Sequence, residues 1–440
     1  MKPLFVISCP IDTYSGYGAR SRDIVKALLK LDKYDIKILP QRWGSTSFGF
    51  LKQDNPEHKS IMDCILPQPQ LNRQPDVWMQ ITVPNEFQAV GKFNIGVTAG
   101  IETTVCAPQW VEGMNRMNLN LVSSKHAKDV FVNSRFEKRN SQTNQVEGII
   151  QLTAPVEVLF EGADTNIYKK LDTLVPNDLT KTLDEIPEDF NFLFVGHWLQ
   201  GMLGQDRKDV GMLIKTFLET FKGKGSKPGL IIKTQGATAS IVDRNDILDK
   251  IRTIQKQVGE ENLPNIYLLH GTFDDTEINM LYNHPKVKAH VTFTKGEGYG
   301  RPLLEASISQ KPVIAPNWSG QIDFLNKDMS ILLPGTVTQI HPSAVVQDML
   351  LPDSGWFTVD YKKAADTLKD VYKNYKKYVD GAKRQSYRSR TEFNLDKMAE
   401  LLDNLTNSKI PKPVQLKLPQ LKKIELPKIK KVETNEGTTN

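Results

Sequence analysis

The chain has 440 residues, 39% hydrophobic and 25% charged, with 57 Lys and Arg against 51 Asp and Glu, a formal net charge of +6. Residues 409–440 alone hold eight Lys and three Glu, so the body before them is nearly neutral. That balance argues against the broad basic face of a dedicated duplex-binding protein, though not against a local basic groove.

Size and composition fit an ordinary globular chain of two domains, or three. Cys9, Cys64 and Cys106 are odd in number and scattered, supporting neither a disulfide framework nor a structural zinc site, so a reducing, cytoplasmic setting is expected. The opening MKPLFVISCP is too short in apolar residues for a signal-peptide core. No run approaches the roughly 20 apolar residues of a membrane span, and no integral membrane segment is expected.

Short apolar runs alternate with helix-period segments, the pattern of an α/β protein with parallel sheets. Leu4 to Ser8 reads as a buried first strand, followed by a Gly-containing turn (YSGYGAR) and a helix over Arg22 to Leu31. Strands are predicted at Asp35 to Leu39, Phe93 to Thr98 and Leu119 to Ser123, the last leading into a helix near Ala127 to Phe131, with VEVLF as a final strand. The pattern weakens between Asn140 and Asp189, where a domain boundary is expected. A second series has strands at Phe192 to Val195, Leu230 to Lys233, Ile266 to Leu269, Ala289 to Phe293 and Val313 to Ala315, and a helix at Val210 to Phe221. Asp274 and Glu277 have capping-box spacing before a further helix. Lys362 to Tyr378 and Lys397 to Leu405 read as closing amphipathic helices. Two Rossmann-like domains in tandem describe this pattern: residues 1–185, then 186–360, closing helices over 361–408 returning to the first domain, and a basic Pro/Lys tail over 409–440. The tail reads as extended or disordered, either a solvated linker or a docking segment for an anionic or hydrophobic partner.

The most informative stretch is KGEGYGRPLLEASISQKPVIAPNWSGQIDFL from Lys295 to Leu325. A strand ends, a loop supplies Glu297, Gly298, Tyr299 and Gly300, and after Arg301 a helix begins at Pro302 with Glu305 just inside it. Helix-start N–H groups flanked by glycines make a seat for a phosphate or diphosphate. Two carboxylates seven residues apart bracket that seat, which suits a ligand with an anionic centre and hydroxyl-rich ends.

This segment resembles the Glu-seven-residues-Glu motif of retaining glycosyltransferases of the GT-B fold, and the resemblance runs from the first Gly turn to the helices near residue 400. It implies transfer of a hexosyl or pentosyl group from a nucleoside-diphosphate sugar to an acceptor hydroxyl, with no cofactor and no metal requirement. The first domain is then the acceptor side and the second the donor side. By the same resemblance Glu297 engages the donor sugar and Glu305 the ribose. The alternative is that Glu305 caps its own helix and Glu297 is a solvated loop residue.

Other positions match less evenly. Lys208 matches the family's diphosphate-binding Lys, with Arg207 beside it. His197 after Gly196 stands where an Arg often follows the strand glycine, and either binds phosphate when protonated or packs. Gly16 and Gly18 resemble the family's Gly-rich turn facing the donor phosphates, with Arg20 a candidate anion contact; a tight strand-to-helix turn needs glycine in any case. Glu102 lies where many members carry a His near the acceptor, and either orients or deprotonates an acceptor hydroxyl or starts a helix. The acceptor side stays open: a glycan, a lipid-linked sugar, a small metabolite or a modified base of viral DNA. IDTYSGYGARSRDIVKAL also resembles glycosyltransferases encoded by large bacteriophages, which would place the protein in a host cytoplasm. A dehydrogenase reading is poor because Ser21 stands where the third glycine of GxGxxG belongs. A sugar-nucleotide epimerase, a phosphorylase of the same architecture and a non-catalytic sugar-binding relative are the remaining alternatives.

Overall fold

The computed structural model describes residues 2–140, 142–198, 201, 203–236 and 239–411. The Pro/Lys tail from residue 412 onward lies outside the described residues.

The first domain begins with β1 (Leu4–Cys9), whose six residues are all buried, as a strand covered on both faces requires. Its alternate side chains divide: Phe5, Ile7 and Cys9 join one core, Leu4 and Val6 the other. Helix α1 (Gly16–Leu31) starts at Ser15, whose hydroxyl accepts the Gly18 N–H at 2.9 Å. It ends at Asp32 in the left-handed region, φ 51°. There follow β2 (Asp35–Pro40), α2 (Pro56–Met62), β3 (Val77–Ile81), β4 (Phe93–Thr98), α3 (Pro108–Met114), β5 (Leu119–Val122) and α4 (Lys125–Asn133). An exposed antiparallel hairpin, β6 (Arg135–Arg139) with β7 (Val146–Gln151), precedes β8 (Val156–Val158). The strands of the main sheet run β2-β1-β3-β4-β5-β8, every neighbouring pair parallel.

The second domain contains α5 (Asp178–Asp184), β9 (Asn191–Val195), α6 (Val210–Phe221), β10 (Gly229–Lys233), α7 (Ile241–Val258), β11 (Ile266–Leu269), α8 (Asp275–Asn283), β12 (Val287–Val291), α9 (Arg301–Ile308), β13 (Val313–Pro316) and β14 (Ile331–Leu333). Its sheet, β11-β10-β9-β12-β13-β14, is also parallel throughout. The predicted capping box at α8 forms, Asp274 taking the Glu277 N–H at 2.8 Å and Glu277 returning to the Asp274 N–H at 2.9 Å. A second antiparallel hairpin, β15 (Gly335–Gln339) with β16 (Gly355–Val359), carries its own small core of Ile340, Ala344 and Trp356.

Three helices close the fold: α10 (Tyr361–Lys373), α11 (Lys376–Glu392) and α12 (Leu395–Lys409). The sequence pattern joined Lys362 to Tyr378 in one helix; the backbone breaks at Asn374 (φ −118°, ψ 35°) and restarts as α11. Ala364 and Leu368 of α10 pack into the second domain, whereas Met398, Ala399 and Leu402 of α12 pack into the first. Ala163, Tyr168, Leu183 and Ile186 share a core with Leu193 and Leu303, so packing places residues 163–186 with the second domain. The chain therefore crosses between domains twice, and the two crossings run side by side. The Ala163 N–H donates to the Phe393 carbonyl and the Leu395 N–H to the Ala163 carbonyl, both at 2.9 Å.

Candidate active site

In open parallel sheets the ligand crevice lies beyond the carboxyl ends of the strands, where neighbouring connections leave in opposite directions. In the second sheet that point is between β9 and β12. The loop after β9 supplies Arg207 and Lys208, and the loop after β12 supplies Gly296 to Gly300.

These loops meet. Lys208 Nζ forms a direct ion pair with Glu297 Oε1. Arg207 donates to the Gly296 carbonyl at 3.1 Å and stands 3.8 Å from Glu297 Oε2. It is also 3.6 Å from Glu102 Oε1, which arrives from the first domain. Two cations and two carboxylates thus share one partly buried cluster spanning both domains. Burial alone raises a carboxyl, but Lys208 and Arg207 outweigh it and hold Glu297 below the usual glutamate value. Glu102 does not start a helix; α3 begins six residues later, at Pro108.

The glycines of the motif have steric reasons. A Cβ on Gly296 would collide with the Glu102 carbonyl, and one on Gly298 with the Ala99 carbonyl. Gly300 caps α9 with φ 98°, and no side chain caps that helix start. The Gly298 carbonyl accepts from Ser123 Oγ at 3.1 Å, another contact across the domains. Tyr299 turns into the second core against Phe324, with its hydroxyl unpartnered.

Arg301 reaches across the cleft to Asp23 of α1 and donates through Nε to Glu305 Oε1 at 2.7 Å. Glu305 is 5% exposed. Burial pushes its carboxyl up to about 8, with Arg301 opposing. His197 Nδ1 is 3.3 Å from the Gly236 carbonyl. Burial, then Lys208 and Lys233, lower its pKa, which disfavours the protonated form that a charge-based phosphate contact needs. Gly196 donates to the Lys233 carbonyl at 3.1 Å. Gly16 opens α1 with free space around its Cα, whereas Gly18 presses on the Pro10 to Thr13 turn.

Arg20 is a correction. Its guanidinium is buried and its two terminal nitrogens donate to the Phe160 and Leu159 carbonyls, tying α1 to the chain after β8 in place of the expected anion contact.

Sequence reasoning missed two groups. Lys295, 1% exposed, pairs with fully buried Asp209 at 3.2 Å and donates to Thr358 Oγ1 at 3.0 Å. His126, at the start of α4, lies edge-on to Trp318 at 4.6 Å, with Nε2 unpartnered. A lone Lys in KGEG and a lone His in SSKHAK carry no signal of burial. Among the described residues there is no group of three or more His, Cys, Asp or Glu arranged to hold a metal ion.

No protein-family model matches the chain, and no curated protein does. Solved structures do resemble it. Anabaena HepE in complex with UDP and glucose is 14% identical, with a TM-score of 0.59 over 92% of this chain and 100% of that one. Sucrose-phosphate synthase from Thermosynechococcus elongatus is 11% identical, with a TM-score of 0.58 over 93% and 99%. A glycosyltransferase from Rickettsia africae is 11% identical, with a TM-score of 0.59 over 93% and 99%. These likenesses, spanning both sheets and nearly the whole of each chain, establish the GT-B fold expected from the sequence.

Proposed function

We propose that the protein is a glycosyltransferase that takes its sugar from a nucleoside diphosphate held between the domains and transfers it with retention to an acceptor hydroxyl. The observation that carries this reading is the cluster of Arg207, Lys208, Glu297 and Glu102 at the switch point of the second sheet. The fold is that of HepE, whose structures hold UDP with glucose and UDP-glucose, so UDP is the nucleotide to test first.

Lys208 and Arg207 are paired with carboxylates of Glu297 and Glu102. An arriving diphosphate replaces those carboxylates as the partner of the two cations and frees Glu297 to accept hydroxyls of the donor sugar. The uncapped start of α9 adds its N–H dipoles to the same anion. As the bond from the anomeric carbon to the phosphate oxygen breaks, negative charge grows on the diphosphate, where preorganised cations stabilise it by several kcal/mol. The acceptor oxygen forms its bond on the same face, and its proton passes to the departing phosphate oxygen. Glu102, beside Arg207 on the first domain, orients the acceptor hydroxyl. Glu305 holds the ribose once Arg301 yields part of its contact.

Glu297→Ala and Lys208→Ala are expected to lower transfer from UDP-glucose by about 100-fold or more with an unchanged circular-dichroism spectrum. Wild-type turnover in either variant removes the site assignment. Nuclear magnetic resonance of the product reads the anomeric configuration, and inversion removes the retaining claim. Dependence on inorganic phosphate would point instead to a phosphorylase.

A further inference from the structure

The first sheet has a switch point of its own. β1 lies between β2 and β3, and Ser8 at its end pairs in register with Gln80 of β3. There, at the mouth of the crevice between these strands, is a cavity of about 450 Å³, within the range of small-molecule sites, about 300–1,000 Å³. It occupies in the first domain the place that Lys208 and Glu297 occupy in the second, yet none of its residues belongs to that cluster.

The walls are fixed by hydrogen bonds. Gln80, buried, donates to the Glu86 carbonyl at 3.0 Å and accepts the Gln88 N–H at 2.8 Å, which holds the loop after β3 against the sheet. The Thr82 hydroxyl donates to the Glu86 carboxylate, and Gln41 donates to Ser8 Oγ at 2.6 Å. Two donors remain. Trp78 lines the cavity with 5% of its surface exposed, and its Nε1–H has no partner. Arg42, exposed at the rim, makes no ion pair or hydrogen bond among the described residues. The Trp78 nitrogen is itself closed off from solvent, so Trp78 gives the cavity aromatic surface and Arg42 is its open donor.

The lining selects a class of ligand. One cation and one carboxylate cancel, and around them stand three carboxamides, a hydroxyl and an indole. That mixture of donors, acceptors and aromatic surface suits a neutral polyhydroxylated molecule. A phosphate would meet the Glu86 carboxylate, and a nucleic-acid strand would find one Arg instead of the row of cations its backbone requires. A chain of packed residues connects its rim to the second domain. Trp43, next to Arg42, stacks on Tyr17 at 3.9 Å. The Tyr17 hydroxyl is 2.9 Å from Thr98 Oγ1 and accepts the Ala99 N–H at 3.1 Å, and the Ala99 carbonyl abuts Gly298.

We propose that this cavity seats a saccharide unit of the acceptor, which makes the acceptor a glycan. The proposal rests on the glycosyl-transfer reading of the cleft. Methyl α-glucoside, methyl α-mannoside and methyl β-galactoside, each up to about 50 mM, are titrated into the full chain and followed by saturation-transfer nuclear magnetic resonance, with UDP affinity measured calorimetrically on the same samples. At least one glycoside is expected to bind. Arg42→Ala and Glu86→Gln should each weaken it by about tenfold, with UDP affinity held. The proposal falls if no glycoside binds, if binding is indifferent to Arg42→Ala and Glu86→Gln, or if oligothymidylate binds in its place with a dependence on Arg42. Loss of UDP binding in the unaltered chain would instead sink the donor reading, whatever the glycosides do.

Discussion

Asp209 follows Lys208 directly and holds φ 52°, a left-handed conformation that Asp and Asn tolerate better than other side chains. Three groups secure it: Tyr361 donates to its carboxylate at 2.6 Å, Lys295 Nζ stands at 3.2 Å, and the Leu213 N–H bonds its carbonyl. Lys295 also works through its backbone, donating to the Arg207 carbonyl at 2.7 Å and accepting the Phe357 N–H at 2.8 Å. One buried lysine therefore sets the loop that presents both phosphate-facing cations. Removing a single member of a buried pair leaves an uncompensated charge, and Lys295→Met should cost about 3–5 kcal/mol in urea unfolding. Adding Asp209→Asn, which keeps the left-handed backbone and an acceptor for Tyr361, should recover part of that loss, a coupling of roughly 1–3 kcal/mol. Strict additivity would mean that the two residues do not act as a pair. Motif spacing exposes Lys208, Glu297 and Glu305 to a reader of the sequence, because that chemistry is carried by local order along the chain. It cannot expose Lys295 or Asp209, whose burial is decided by β16 and α10, more than 60 residues further on.

At the scale of elements, the start of α6 is built around a strained titration. Asp206 Oδ2 accepts the Val210 N–H at 3.2 Å. Burial, reinforced by Asp209, pushes the Asp206 carboxyl up to about 7 from 3.8. Between those values the folded chain holds a proton that the unfolded chain has lost, so this group's contribution to stability falls as pH rises from about 4 to about 7, then stays low. Asp206→Asn keeps an acceptor for Val210 and removes the titration. Its melting temperature should match the parent near pH 4.5 and exceed it at pH 8; equal melting at both would place the ionised carboxylate in no difficulty. The helix itself was legible, Val210 to Phe221, because its apolar face repeats at helical period and its end is sharp. The doubly covered strands were legible as apolar runs. Among the elements that were not are β3, where Gln80 interrupts the run, β6, whose RFEKR is polar on an exposed hairpin, and α7, whose buried side is only Ile247, Ile251 and Ile254.

For the whole molecule, the question is what holds the two sheets face to face. Besides the double crossing at Ala163 and Phe393 to Leu395, and besides Ser123 with Gly298 and Arg207 with Glu102, further contacts join the domains: Thr104 and Gly355 exchange two hydrogen bonds at 2.8 and 2.9 Å, the Lys125 N–H donates to Asp323 at 2.8 Å, and Arg301 pairs with Asp23. The first two lie near the surface and gain little over water. The Arg301 pair is the more buried of the ion pairs between the domains, and its guanidinium is divided between a carboxylate of each domain, Asp23 on α1 and Glu305 on α9. A ribose that draws on Glu305 competes with Arg301 from one side while Asp23 retains it from the other, so donor entry need not break the latch. Asp23→Asn removes the charge on the first-domain side and leaves Arg301 wholly to Glu305. The ligand-free variant should then open, with a larger radius of gyration in small-angle X-ray scattering than the parent, and should close again toward the parent value on addition of UDP. Superimposable ligand-free curves would show that packing alone sets the closed angle and that Arg301 serves Glu305 only.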